Sequence, residues 1–249
     1  MNKVMKKTVL MMMGVLIALT SCSVNVNGLG LNKIEPSETI VKKEYKLNSF
    51  NEVSSRAVAN VKIVQSEEKD GLVVLSAPEN YIELFGFESK GEKLDISFTR
   101  DNINIETKNV FITVYTSNLL KLSNSGAASV SLDSLDTDNL DVVNSGVGTF
   151  KLNHVQADKI NVKCSGVGDI SIDGETRDAD LSCSGVGSIH AQELKANNTN
   201  AAVTGVGSIT CYASNYIHGR VTGVGSLQYA GHPKKKDLNK PMTGSISEI

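Results

Sequence analysis

Polar and charged residues that could bind a ligand or take part in catalysis recur about every 20 positions in the second half of the chain. The alternation of apolar and polar residues predicts that they point outward. One row reads Asp141, Asn161, Asp180, Asn200 and His218, and the row beside it contains Lys163 and Arg220. Enzymes that cleave acidic polysaccharides bring several carboxylates, or a carboxylate with Arg and Lys, together on one face. These seven residues are therefore a candidate polar ligand face that could contact a sugar or cleave it. The pattern favours a plainer interpretation, the solvated side of a sheet, because Asn161 keeps Asp141 and Asp180 from stacking.

The histidines and glycines predict neither a metal site nor a nucleotide site. The four histidines, His154, His190, His218 and His232, fall at unrelated places in the repeat, so no zinc cluster is expected. A calcium-binding solenoid needs Asp at one fixed place in every coil, and here that place has Asp only at Asp169. A phosphate loop occurs once, between a strand and a helix, unlike these repeated glycines. We therefore predict no metal, no cofactor and no catalytic residue.

Two cysteines, Cys164 and Cys183, occupy the same place in adjacent repeats. Stacked strands would hold their Cα atoms about 4.8 Å apart, which a disulfide allows, and a bacterial envelope permits disulfides. Parallel stacked side chains point the same way, however, and buried Cys often serves as a small apolar filler. Free thiols are the favoured interpretation, with the disulfide left open. Cys211 lies in a different row and is expected to be unpaired.

The elements that position these residues are organised around a four-residue phrase, Ser/Thr-Gly-Val-Gly. It occurs five times, starting at residues 145, 165, 184, 204 and 222, with a weaker copy at 125 and a degraded one at 243. Apolar residues alternate with polar ones on both sides of it, which indicates strands and not helices. A repeat of about 20 residues built only from strands and turns predicts an all-β fold, a right-handed parallel β-helix, or solenoid.

The same alternation assigns a direction to each residue of the phrase. The glycines would point inward and let the coil turn sharply or approach its opposite wall. These structural turn glycines are Gly146, Gly148, Gly166, Gly168, Gly185, Gly187, Gly205, Gly207, Gly223 and Gly225. The valines between them would point outward as a candidate interaction stripe: Val147, Val167, Val186, Val206 and Val224. A contiguous apolar row predicts a contact with a partner or a second copy. The alternative is a corner whose valines fold into the core.

The repeated Ser-Gly-x-Gly phrase followed by an aliphatic residue, with Gly231 and Pro233 after Tyr229, resembles a known family. It is similar to the auto-transporter adhesin, or head GIN, domain of bacterial lipoproteins, over roughly residues 49–249. The resemblance implies a β-helical envelope protein and supplies no catalytic residues. Family members usually have Ser or another small polar residue where this chain has Val between the glycines.

Residues 1–21 are predicted to be a lipoprotein signal peptide. Lys3, Lys6 and Lys7 precede an apolar run over residues 8–20 that is too short to span a bilayer, and Leu19–Cys22 resembles a lipobox. Cleavage would leave a lipidated Cys22, whose several acyl chains would anchor the protein stably in a membrane. An ordinary signal peptide with an incidental Cys is the alternative. The outer membrane is expected, because no Asp follows Cys22, and the side that the protein faces stays open.

The rest of the chain divides into three segments. Residues 22–38 are polar, contain Gly and Pro, and predict a flexible tether. Residues 39–122 alternate less regularly and are interpreted as irregular first coils of the solenoid, with a short helical turn near Pro78–Ile82. Residues 123–249 are predicted to form the regular β-helix and a C-terminal cap, because terminal coils must cover an open strand edge.

Charge and anchoring together predict a class of function. The formal net charge is −2 and becomes about −5 once Lys3, Lys6 and Lys7 are removed, and without a basic patch we expect no nucleic-acid partner. We interpret the chain as a lipid-anchored cell-envelope protein, not an enzyme, that presents a rigid surface for adhesion or binding. The alternatives are a glycan-binding or glycan-cleaving envelope protein and a structural spacer. The expected partners are the membrane, through Cys22, and a glycan, a protein or a second copy.

Overall fold

The computed structural model describes residues 33–239 and 243–249. The predicted signal peptide, Cys22 and most of the predicted tether therefore lie outside the described residues. Two units are distinguished, and the larger comprises Glu35–Asp101 and Ile105–Ile249. β1 (Lys33–Ile34) and β8 (Asn104–Ile105) form a two-stranded sheet of their own. Within the described ranges, no helix is both long and apolar enough to cross a membrane.

The first strands of the larger unit form a nearly closed mixed sheet. They are β2 (Ile40–Lys46), β3 (Glu52–Ser55), β4 (Val58–Gln65), β5 (Leu72–Pro78), β6 (Phe85–Lys90), β7 (Lys93–Phe98) and β9 (Phe111–Thr116). β3 and β4 pair in parallel with β7 and β9, as stacked coils do. β2 with β5, β5 with β9, and β6 with β7 are antiparallel. The structure therefore differs here from the predicted irregular coils. Alternation with a period of two residues occurs in parallel and antiparallel strands alike, so the sequence pattern could not distinguish the two.

A short helix and two aromatic rings close this sheet at the end of the stack. The helical turn predicted near Pro78 is a 3₁₀ helix over Glu79–Leu84, and it buries Tyr81, Ile82 and Leu84. The rings of Tyr45 in β2 and Phe87 in β6 lie 4.6 Å apart between centroids, where the two outermost strands approach each other. This packing covers the open strand edges that a solenoid must otherwise expose.

The segment predicted as a tether is held at its described end. The side-chain amide of Asn80 donates to the carbonyl oxygen of Glu35 at 2.8 Å, and its oxygen accepts from the Ser37 backbone at 2.9 Å. The folded part therefore begins a few residues before the predicted boundary at Thr39.

The second half of the chain forms parallel coils. Its strands are β10 (Lys121–Asn124), β11 (Ala127–Leu132), β12 (Leu135–Asn144), β13 (Val147–Cys164), β14 (Ile170–Cys183), β15 (Val186–Ala191), β16 (Leu194–Val203), β17 (Val206–Tyr212), β18 (Tyr216–Val221), β19 (Val224–Ala230), β20 (Lys235–Leu238) and β21 (Ser245–Glu248). The pairings between coils are parallel and join residues about 20 positions apart, such as Val142 with Val162. The predicted all-β solenoid with coils of about 20 residues is confirmed, with about 6 turns.

Each coil has three faces, which we name A, B and C. In one coil, face B contains residues 147–152, face C residues 155–157 and face A residues 159–164, and equivalent residues of the neighbouring coils stack on them. The row that lies five residues after the Ser/Thr of each phrase is buried to 2% exposure or less. It consists of Phe150, Ile170, Ile189, Ile209 and Leu227. These stacked apolar rows form the continuous core that holds the faces in register.

Candidate functional site

The Ser/Thr-Gly-Val-Gly phrase forms the corner between face A and face B. The backbone N–H groups of Ser184 and Gly185 both donate to the carbonyl oxygen of Cys164 in the preceding coil, at 2.9 and 3.1 Å. Val186 then donates to the carbonyl oxygen of Gly166 at 3.0 Å. The same three bonds recur in the other four phrases. They bring the backbones of successive coils close together at every corner.

This close approach explains the glycines. A Cβ added to Gly185 would lie less than 3.0 Å from the carbonyl oxygen of Gly166, and a Cβ on Gly187 would meet Gly168 in the same way. Each of the ten predicted turn glycines has such a contact with the preceding coil. Of the two roles expected for these glycines, the sharp turn agrees with their place at a corner, whereas these contacts are not with an opposite wall. Their missing side chains make room for the backbone of the preceding coil.

In three successive coils, the inward residue directly before the phrase donates a side-chain hydrogen bond to the second glycine of that phrase. Asn144 Nδ2 donates to the carbonyl oxygen of Gly148 at 3.3 Å. Cys164 Sγ and Cys183 Sγ donate to the equivalent carbonyl oxygens of Gly168 and Gly187, at 3.5 and 3.4 Å. Sequence reasoning missed this row of donors, because Asn and Cys are chemically unlike. The signal that could have revealed it was their shared place directly before the phrase.

The three described cysteines, Cys164, Cys183 and Cys211, are free and buried, as the favoured interpretation held. The neighbouring Cys183 thiol, together with burial, raises the pKa of Cys164. Burial alone raises the pKa of Cys211 to about 12. Protonated Cys164 keeps the hydrogen that its bond to the corner carbonyl requires.

The valines of the five phrases point outward. Their exposed fractions lie between 50% and 63%, so they do not belong to the core. The register of the strands pairs each valine with the next, and the row continues through Ala127 and Val58. The five valines of the stripe span four intervals, or about 19 Å at 4.8 Å per interval, and the row of seven residues spans six, or about 29 Å. Its role in association remains a prediction.

Changing Val167, Val186 and Val206 together to Ser tests that role. We expect self-association to be lost, because each valine contributes about 1.5–3 kcal/mol when fully covered. Stability should fall by no more than about 1.5 kcal/mol, since each exposed change costs up to about 0.5 kcal/mol. Light scattering and thermal unfolding measure the two effects, with Phe111→Ser as a control at an exposed apolar residue outside the stripe. An unchanged oligomeric state in the triple variant would contradict the prediction.

Face A brings together six of the seven residues of the candidate polar ligand face. Asn161, Lys163, Asp180, Asn200, His218 and Arg220 line one concavity of about 580 Å³, together with Lys159, Leu181, Ser182, Ala201 and Ala202. The seventh residue, Asp141, is outside this lining, and its carboxylate accepts a hydrogen bond from Asn161. We name this concavity the face A groove.

Hydrogen bonds and ion pairs occupy most of the polar groups in the face A groove. Lys159 lies 3.0 Å from the Asp180 carboxylate, whose hydrogen bond raises the pKa of Lys159. Asn200 donates to the other oxygen of Asp180 at 2.7 Å, and His218 lies 3.0 Å from Asp237. Sequence reasoning missed Lys159 and Asp237. Continuing the outward alternation two residues upstream would have found Lys159, and one further coil would have found Asp237.

The composition of the groove suits binding better than bond cleavage. Glycoside hydrolysis in its usual form uses two carboxyl groups that flank the scissile bond. Asp180 is the one acidic residue among those that line the groove, and its carboxylate is already bonded to Lys159 and Asn200. One donor is therefore bound to each oxygen of this carboxylate, and no second carboxyl group faces it across the groove lining.

A second concavity, of about 470 Å³, lies on face C and has no counterpart in the sequence interpretation. Its charged lining residues are Asp136, Asp138, Asp158, Glu175, Arg177 and Lys195. Arg177 lies 3.8 Å from Asp158 and 2.9 Å from Asp178. Face C was missed because it is short and its register shifts between Leu152 and Val155. In the part of the chain that the structure describes, no three His, Cys, Asp or Glu side chains are grouped to hold a metal ion.

Comparison with known proteins identifies the family. Residues 49–233 match the family model described as "Putative auto-transporter adhesin, head GIN domain". The chain belongs to this family. The resemblance noted in the repeated phrase is thereby confirmed, and membership implies a protein of the cell surface or envelope.

Solved structures of proteins described as putative adhesins share the fold. A crystal structure of a putative adhesin from Bacteroides fragilis has 34% identity and a TM-score of 0.83, covering 87% of this chain and 100% of that one. A putative adhesin from Parabacteroides distasonis has 21% identity and a TM-score of 0.68, with 88% and 100% covered. One from Parabacteroides merdae has 19% identity and a TM-score of 0.61, with 88% and 99% covered. No curated protein matches the chain.

Proposed function

We propose that this head GIN protein is a lipid-anchored, non-catalytic binding protein of the cell envelope. Its solenoid presents a rigid outer surface for adhesion. The observation that carries the proposal is the face A groove, which gathers polar side chains from four successive coils. Because each coil contributes only a few of them, the surface exists only in the stacked protein.

Rigidity supports binding through this surface. Corner bonds of 2.9 to 3.3 Å tie the Ser/Thr and first glycine of every phrase to the coil before. The glycines leave no space at these corners into which the backbone could relax. A ligand would therefore meet side chains on a preorganised frame, and little conformational entropy would be lost when it binds.

Attachment to the membrane completes the proposal. Cys22, which lies outside the described residues, would carry the acyl chains, and the outer membrane is the proposed bilayer. A stable anchor keeps a binding surface at the envelope even when the affinity for its ligand is modest, because many copies on one cell act together.

An array of immobilised glycans and envelope or host proteins tests binding by the full-length protein. We expect reversible retention of at least one class of ligand and no release of cleaved products. Ser182→Leu, which fills the floor of the groove, should reduce retention, whereas the matched change Ser171→Leu on face B should not. Retention of nothing would indicate a structural spacer, and released products would indicate a glycan-cleaving enzyme.

A further inference from the structure

Two cations line the face A groove with side chains that have no partner among the described residues. The side chains of Lys163 and Arg220 make no hydrogen bond or ion pair with any residue in 33–239 or 243–249. Both belong to one outward row, which runs Lys163, Ser182, Ala202 and Arg220. Three coil intervals separate the two cations, or about 14 Å along the stack. Their nearest neighbours in that row, Val143, Ser182, Ala202 and Asn239, are uncharged.

Short side chains form the floor between the two cations. Ser182 and Ala202 end within two bonds of the backbone, whereas Lys163 and Arg220 extend well beyond it. The surface of this row is therefore lower at Ser182 and Ala202 than at its two ends, and each end carries a positive charge. A ligand seated in this dip would lie parallel to the axis of the stack and place one anionic group near each cation.

The asparagines beside the floor offer acceptors to the same ligand. An ionised carboxylate can only accept, so the amide nitrogen of Asn161 faces Asp141 and that of Asn200 faces Asp180. Their amide oxygens are turned away from these carboxylates and accept no hydrogen bond from the described residues. The hydrogen bond on its nitrogen fixes the orientation of each side-chain amide. A ligand that carries hydrogen-bond donors as well as anionic groups would therefore use both the asparagine oxygens and the two cations.

We propose that the face A groove binds an acidic glycan that lies along the solenoid, with its anionic groups on Lys163 and Arg220. Sugar hydroxyls would donate to the oriented oxygens of Asn161 and Asn200, and carboxylate or sulfate groups would accept from the two cations. The proposal rests on the proposed binding function and names its ligand class. The shared chemistry is a polyhydroxylated anion, whether it is carboxylated or sulfated.

Other polyanions fit this groove less well. A nucleic acid carries a charge on every nucleotide, and Asp141 and Asp180 would repel a continuous row of phosphates beside the cations. An acidic peptide offers N–H donors, but peptide recognition relies on pockets for alternate side chains. The floor of Ser182 and Ala202 provides no such pocket. A sparsely charged glycan satisfies the cations without either difficulty.

Equilibrium binding of the full-length protein to four polymers tests the proposal. The probes are polygalacturonate, dextran sulfate, uncharged dextran and poly-glutamate. We expect binding to polygalacturonate, to dextran sulfate or to both, weakened by added salt because the contacts are exposed ion pairs. Lys163→Gln with Arg220→Gln should weaken that binding about tenfold or more.

A matched control separates the groove from the net charge of the protein. Lys151→Gln with Arg100→Gln removes the same charge from exposed residues away from face A, and should leave affinity within about twofold. Equal losses in both double variants would overturn the proposal, since binding would then depend on overall charge. Unchanged affinity in the Lys163/Arg220 variant would overturn it as well. Thermal unfolding of both variants should match the parent, because all four side chains are exposed.

The choice of polymers also distinguishes this proposal from the proposed function. Binding confined to uncharged dextran, or to array ligands that are not acidic glycans, would overturn the acidic-glycan assignment and leave the binding function standing. Poly-glutamate binding as tight as that of the anionic glycans would replace the glycan with an acidic peptide. If no ligand at all is retained by the array, the binding function itself fails.

Discussion

Gly185→Ala is expected to destabilise the protein by at least about 3 kcal/mol. The added methyl group would lie less than 3.0 Å from the carbonyl oxygen of Gly166 and from backbone atoms of Ser165. A flexible side chain could move aside from the added methyl group, but these neighbouring atoms belong to the backbone, which the hydrogen bonds between coils hold in place. Relief would require the two coils to separate and would break the corner bonds, such as Val186 N to Gly166 O at 3.0 Å.

The loss should spread beyond one coil. In a solenoid, each repeat is stabilised by its interfaces with the repeats before and after it. Separating the coils that contain Gly166 and Gly185 would interrupt the ladder in the middle of the regular region. We therefore expect a lower midpoint in urea and also a less cooperative transition, because the two halves can then unfold separately.

Gly86→Ala is the matched control for this prediction. A Cβ on Gly86 would have its nearest heavy atom at 3.7 Å, an ordinary van der Waals contact, and no left-handed backbone angle opposes it. The control should stay within about 1 kcal/mol of the parent and could be slightly more stable, because Ala restricts the unfolded chain. Equal unfolding midpoints for the two variants would show that the corner glycines are not needed for close packing of the coils.

The repeat made face A predictable from the sequence. Because the phrase recurs at nearly constant spacing, residues at equal distances from it must stack, and alternation decides which of them point outward. This reasoning placed Asn161 beside Asp180 and Lys163 in the row that ends at Arg220, as the structure has them. It stopped before Asp237, because the last coil lacks a complete phrase to mark the position.

Two other features could not be predicted because they depend on more than one coil. The contact between Gly185 and Gly166 is set by how closely backbones approach across coils, and alternation within one strand carries no information about that distance. Strand β5 alternates in burial as the parallel strands do, yet it pairs antiparallel with β2 and β9, because the chain reverses after Gln65 to close the first coils. Direction of pairing is a property of the connection and not of the strand pattern.

Cys22→Ala is expected to move the protein from the membrane fraction to the soluble fraction. The prediction follows from the short apolar run that ends at Leu19–Cys22, in which the Cys thiol is the proposed site of lipid attachment. Each buried methylene of an acyl chain contributes about 0.8 kcal/mol, so removing several chains removes the proposed anchor altogether. Cys211→Ala is the control, because this residue is a buried thiol of the core and its loss should leave the protein with the membranes. Fractionation of cells followed by alkaline extraction measures both variants. If the Cys22→Ala protein still pellets with membranes and resists extraction, attachment does not depend on that cysteine and the lipoprotein assignment is wrong.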